Sequence, residues 1–234
     1  RLPVIVIGRR ALGCGVAIEM LAEKLGAPII TSLDGKGIID ESHPNLLGVL
    51  GIFGFPAMEA TRKILREADL LLAMGIDTIK PFLTDEVDVQ RRAFIQCEPE
   101  AAFLTHETTA TERSSGPLDA IADALCENLR QRPPRDAVTA LAAERTAFRQ
   151  TLAAPKLAKP GDFIHPRDFL LALSAVLPED AALVFDTGAN TLWTAQYLEL
   201  TRRQRVIVPS HLGTMGFALP AAIAMQHARP GKPV

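Results

Sequence analysis

No apolar run in this 234-residue sequence approaches the ~20 residues a bilayer-spanning helix requires, so no membrane segment is expected. Cysteine is scarce: Cys14, Cys97 and Cys126 are odd in number and far apart. That spacing excludes a zinc knuckle or a Cys-x-x-Cys redox pair and suits a reducing, cytoplasmic setting. Excess positive charge is missing too. A formal net charge of -2 gives no reason to expect nucleic acid, which normally meets a strongly basic face. The five histidines lack metal-ligand spacing, and His43 and His106 read as surface or loop residues. There is no repeat and no low-complexity tract, and Pro3-Val4-Ile5-Val6-Ile7 is expected to be a strand rather than part of a signal peptide.

What is present is the composition of a well-packed soluble protein, with 48% hydrophobic and 22% charged residues, enough for one large domain or two ordinary ones. Residues 1–133 carry 14 basic against 19 acidic residues, whereas 164–234 are nearly balanced, which hints at separate units. Strands are expected at Val4–Gly8, Pro28–Thr31, Asp69–Gly75 and Arg92–Cys97. Helices are expected at Ala11–Leu25, with Val16, Met20, Leu21 and Leu25 at helical spacing, at Pro56–Glu67 and at Pro117–Leu129. Strands without polar alternation, separated by helices, imply a sheet buried on both faces. Residues 1–133 therefore read as a doubly wound α/β domain with a parallel sheet of about six strands. Residues 134–163 form a linker with an Ala-rich helix from Asp136 to Leu152, expected to pack on a surface. Residues 164–234 begin a second α/β domain, which this sequence holds only in part. Its helix starts at His165-Pro166, its strands are Ala182–Asp186 and Val206–Val208, a helix contains Trp193, and an Ala-rich helix runs from Phe217 to Ala228.

Two motifs stand where a strand ends and a helix begins: Asp186-Thr187-Gly188-Ala189-Asn190-Thr191-Leu192-Trp193, and Ser210-His211-Leu212-Gly213-Thr214-Met215-Gly216. Ligands of open α/β sheets sit at that edge, and free helix N-terminal N–H groups bind phosphate there. Either turn alone is also explained by glycine supplying positive φ.

Together the two motifs resemble the diphosphate-binding domain of thiamine-diphosphate-dependent enzymes, in particular the acetolactate synthase and pyruvate oxidase group. Upstream, Pro3-Val4-Ile5-Val6-Ile7-Gly8, Gly35-Lys36-Gly37, His43-Pro44, Ala68–Gly75 and Cys97-Glu98-Pro99 are similar to that family's central domain. Cys97-Glu98-Pro99 with Ala101-Ala102 also resembles benzoylformate decarboxylase, which keeps simple decarboxylation open. The resemblance implies an enzyme acting on 2-oxo acids with thiamine diphosphate and Mg²⁺, assembled as a dimer or tetramer. Its cofactor must fold its two rings together so that its own amine can take the thiazolium proton. By motif, Met215 is the wedge between the rings and Gly213 supplies a carbonyl to the amine. Gly188, Ala189 and Asn190 lie near the diphosphate. A methionine also fills core gaps, although its Gly-Thr-Met-Gly context favours the wedge. His211 stands where the family usually has glycine, and it reads equally as a substrate contact or a structural histidine. The metal ligands are expected beyond Val234 and the activating glutamate before residue 1, so no catalytic or metal-ligating residue is assigned here. FAD is not expected: Arg9 and Arg10 stand where glycines are often found, and Gly75-Ile76-Asp77-Thr78 lacks the basic-aromatic sequence of acetolactate synthases. The rival reading is an α/β module that binds ADP or FAD without thiamine chemistry.

Overall fold

In the computed structural model, which describes residues 2–49, 64–76, 93–104, 110–134, 136–151, 163–210 and 212–234, the first strand is entirely buried. This strand, β1 (Pro3–Ile7), lies in the middle of a six-stranded parallel sheet with β2 (Ile29–Thr31), β3 (Leu46–Val49), β4 (Leu70–Met74), β5 (Ala93–Glu98) and β6 (Glu112–Ser115). The order β3-β2-β1-β4-β5-β6 is that of a doubly wound sheet, with the crossover direction reversing between β1 and β4. Ile5 pairs with Ile29 on one side and Leu72 on the other. Alternate residues of one strand feed two cores. Val4 and Val6 join Ile30, Leu71, Ala73 and Phe94 on one face. Ile5 and Ile7 join Ile29, Leu72 and Met74 on the other, beneath helices α1 (Gly15–Leu25) and α2 (Leu118–Asn128). A side chain buried this fully contributes about 2 kcal/mol, and that explains the absence of polar alternation along β1.

The rotation of α1 differs from the expected one. Ile18, Leu21 and Ala22 face the sheet, whereas Val16 and Met20 are more than half exposed. Two apolar stripes compete on this helix, and Glu19 decides between them. Its carboxylate accepts the Asp40 amide at 3.1 Å and pairs with Arg202, so the side of the helix next to Ile18 is turned inward. The helix expected at Pro56–Glu67 lies mostly outside the described residues, although 64–67 are helical and Ile64 and Leu65 are buried.

The linker helix, α3 (Asp136–Thr151), corrects the expectation that it only covers a surface. Val138, in its first turn, is 2% exposed and sits in the sheet's core with Leu47. The second unit follows the expected order: α4 (Pro166–Val176), β7 (Ala182–Val184), α5 (Ala189–Tyr197), β8 (Arg205–Ile207) and α6 (Ala218–Ala228). Helix α4 starts where Pro166 supplies its first position and the His165 ring accepts the Arg167 amide at 3.2 Å. Strands β7 and β8 pair in parallel as a separate two-stranded sheet. The units touch: the Glu41 amide donates to the Leu200 carbonyl at 3.0 Å. Among the described residues no helix is long and apolar enough to cross a membrane.

Candidate functional site

The site forms at the carboxyl ends of β7 and β8. The chain leaves β7 through Phe185 and reaches Asp186, whose two ends do different work. Its carbonyl accepts the Thr191 hydroxyl at 2.6 Å and the Asn190 amide nitrogen at 3.1 Å, which folds the first turn of α5 back onto the strand end. Its carboxylate reaches across to the second motif. It accepts the Gly216 amide at 2.9 Å and the Ala218 amide at 3.3 Å, with the Thr187 amide at 2.8 Å on its near side. Desolvation pushes this carboxyl up. The N–H groups of Thr187, Ala218, Gly216 and Phe217 outweigh that and hold it below the ordinary carboxylate range. Asp186 is therefore the knot joining the two motifs. The sequence offered it only as the first residue of an Asp-x-Gly pattern, because its amide partners lie 30 and 32 residues downstream.

Gly188 caps α5, and a Cβ there would fall 2.9 Å from the Asn190 side-chain oxygen. Ala189 and Asn190 open the helix and are exposed. The early N–H groups of any helix have no intrahelical acceptor, so this end presents donors outward. Trp193 steadies α5 by packing edge-on to His165 at 5.2 Å and stacking on Tyr197 at 5.6 Å. Gly213 has φ 62°, the left-handed region, and its amide donates to the Pro209 carbonyl at 3.0 Å. Met215 is 81% exposed at the crest of the turn and belongs to none of the hydrophobic cores among the described residues. His211 lies outside the described residues. Beside the turn, a cleft of about 300 Å³ is lined by Thr187, Gly188, Thr191, Leu192, Val208, Pro209 and Ser210, with Leu33 of the first unit closing one side.

The other crevice that this fold offers, where the sheet order reverses between β1 and β4, is filled by the chain itself. A Cβ on Gly8 would meet the Gly75 carbonyl at 2.6 Å, and one on Gly75 would meet the Ala11 amide at 2.4 Å. These glycines admit the chain's own 3-10 turn, Arg9–Ala11. From it the Arg10 guanidinium bonds Glu98 at 2.9 Å and the Ile76 carbonyl at 2.6 Å, and it lies 4.5 Å from the centre of the Phe103 ring. Glu98 is fully buried. Among the described residues no group of three or more His, Cys, Asp or Glu side chains could hold a metal ion.

Comparison with known proteins gives two family matches. Residues 1–125 match the thiamine pyrophosphate enzyme central domain, and residues 186–234 match the C-terminal TPP binding domain of thiamine pyrophosphate enzymes. The acetolactate synthase isozyme 2 large subunit of Escherichia coli (strain K12) is 30% identical over 241 residues, covering 99% of this chain and 41% of that protein. The probable 2-ketoarginine decarboxylase AruI of Pseudomonas aeruginosa is 29% identical, covering all of this chain and 40% of that protein. The putative thiamine pyrophosphate-containing protein YdaP of Bacillus subtilis is 26% identical, covering 97% of this chain and 38% of that protein. The chain thus spans about two fifths of the length of the curated relatives it matches.

Proposed function

We propose, because this chain belongs to the thiamine pyrophosphate enzyme family, that the protein it comes from is a thiamine-diphosphate-dependent carboligase or decarboxylase acting on 2-oxo acids, of acetolactate-synthase type. The observation that carries this reading is the exposed Met215 on a turn roped by Asp186 to an open helix N-terminus. The residues present fit the cofactor. Donors at the start of α5 suit an anionic diphosphate. An apolar side chain stands clear of the protein where the rings need a support, and Gly213 keeps the backbone beside it bare.

When bound, thiamine diphosphate would supply an acidic thiazolium C–H as the source of a carbon nucleophile toward 2-oxo acids. This chain's own part is orientation. Gly188, Ala189 and Asn190 would hold the diphosphate end, Met215 would support the folded rings, and the Gly213 carbonyl would accept a hydrogen bond from the pyrimidine amine. Such positioning groups act on rate by fixing geometry, where about 1 Å matters. His211, two residues before Gly213 in the sequence, is read as a substrate contact or a structural histidine. Mg²⁺ would be held with the diphosphate by oxygen ligands supplied from outside these 234 residues.

We further read residues 1–133 as the central domain, 134–163 as the linker and 164–234 as the start of the cofactor-binding domain, in a cytoplasmic homo-oligomer with neither nucleic acid nor membrane as partner. The commitment of Arg10 to Glu98 and to the Phe103 ring supports a reading without FAD, so no step is assigned to flavin. The nucleotide-module reading loses on the same ground and on the match over 186–234.

The test is turnover of pyruvate by the full-length protein with and without thiamine diphosphate and Mg²⁺. Release of CO₂ or formation of acetolactate that depends on both is the expected result. ADP or FAD binding with no response to thiamine diphosphate would overturn the reading.

A further inference from the structure

The turn that carries Met215 has little burial to hold it. Leu212 is 90% exposed, Met215 is 81% exposed, and Gly213 and Gly216 both have positive φ. Segments with so few apolar contacts open locally at low cost, so its order must come from its ends. The far end is held by Asp186, through the Gly216 and Ala218 amides. The near end is held from the other unit: the Ser210 hydroxyl donates to Asp34 at 3.0 Å. Asp34 is not a loose surface acid. The Ser32 hydroxyl bonds its other oxygen, and the Ser32 amide donates to the Ile7 carbonyl at 2.8 Å. Three hydrogen bonds thus run from the central strand of the six-stranded sheet, through Ser32 and Asp34, to Ser210, three residues before Gly213. Leu33, beside Asp34, forms part of the wall of the cleft under that turn.

We infer that Asp34 is a positioning residue: with Asp186 it clamps the Met215 turn between two carboxyl groups, one from each α/β unit, so that the central domain sets where the turn stands. The inference rests on the functional reading above for what the turn does, but not for what holds it. Loss of the near anchor leaves that end held only by local backbone bonds, from the Ser210 amide to the Val208 carbonyl and from the Gly213 amide to the Pro209 carbonyl. Met215 then samples positions in which it no longer supports the folded rings, and turnover falls more than substrate affinity.

The experiment uses the full-length protein and variants Ser210→Ala, Asp34→Leu, Asp34→Asn and the double Ser210→Ala/Asp34→Leu. Amide hydrogen exchange over residues 212–216, measured without cofactor, should quicken about tenfold in Ser210→Ala and Asp34→Leu, with melting temperatures within about 2 °C of the parent. With thiamine diphosphate, kcat should fall about tenfold while KM stays within a factor of about two. Asp34→Asn keeps an oxygen for Ser210 and should restore both readouts. The double variant should be no worse than the worse single one, because both changes cut one link. Unchanged exchange in Ser210→Ala and Asp34→Leu overturns the inference, as do two single effects that multiply. Ser210→Ala guards against a folding defect of Asp34→Leu, since it leaves the Ser32–Asp34 bond intact. If the parent shows no thiamine-dependent turnover the functional reading fails, and the exchange measurement still decides whether the clamp exists.

Discussion

Two side chains carry the proposed site, and they should respond differently to substitution. Met215 has 81% of its surface in solvent, so truncating it removes almost no packing. In the full-length enzyme, Met215→Ala should leave the urea midpoint unchanged, weaken thiamine diphosphate binding modestly and lower kcat about a hundredfold. A variant that loses stability but keeps its rate per folded molecule would show the methionine to be filler. Asp186 is a folding group. Its folded-state carboxyl lies below the ordinary range, so its contribution is complete above the unfolded value, ~3.9, and is lost as pH falls through the lower folded value. Asp186→Asn keeps one acceptor but turns NH₂ donors toward the Gly216 and Ala218 amides. Its urea midpoint should lie below the parent's at pH 7, and the gap should close as pH is lowered beneath ~4. A gap that persists unchanged into acid would mean the carboxylate is not the tie. Met215 could be picked from sequence because its neighbours form a local pattern. Asp186 could not, because its partners are distant in the chain and only folding brings them to it.

Among the elements, β1, β2 and β4 were legible as apolar runs, and β5 as one broken only by the buried Gln96, for the reason that both sheet faces are covered. Strands β3 and β6 escaped. Gly48 interrupts the first, and the second is Glu112-Arg113-Ser114-Ser115, fully exposed at the sheet edge, where no apolar residue is required. The rotation of α1 was misjudged because a helix apolar on two sides gives no single stripe; the buried Glu19 settles it, and periodicity cannot weigh a charged residue's partners. For α3, composition suggested a surface strut, whereas Val138 is a plug in the sheet's core. Val138→Ala should cost about 1–3 kcal/mol in urea unfolding. Substituting the exposed Thr139 by Ala should change little, and equal effects at the two positions would contradict the assigned burial. The 213–216 turn has its own requirement. Gly213→Val forces a β-branched residue to φ 62°, at a cost of order 1–3 kcal/mol. It should lower turnover more than Met215→Ala, because the backbone carbonyl moves with it.

For the whole molecule, the purified 234-residue chain should not turn over 2-oxo acids. It spans about two fifths of its relatives, and the roles assigned within it are positional, without an acid, a base or a metal ligand. Turnover of pyruvate by this chain alone would mean the site is misplaced. The full-length enzyme should sediment as a dimer or larger and carry no flavin absorbance, as expected if Arg10 stays committed to Glu98 and the Phe103 ring. The sheet's central strand is also the first to be made, and Pro3 pairs with Leu70 while Ile5 pairs with Ile29. During synthesis β1 can find β2 early, but its other edge has no partner until β4 has left the ribosome. Sheets built from such distant pairings close slowly and expose apolar edges while they wait. The nascent chain is therefore a natural client for chaperones that shield unfinished strands, from the emergence of β1 until β4 is delivered.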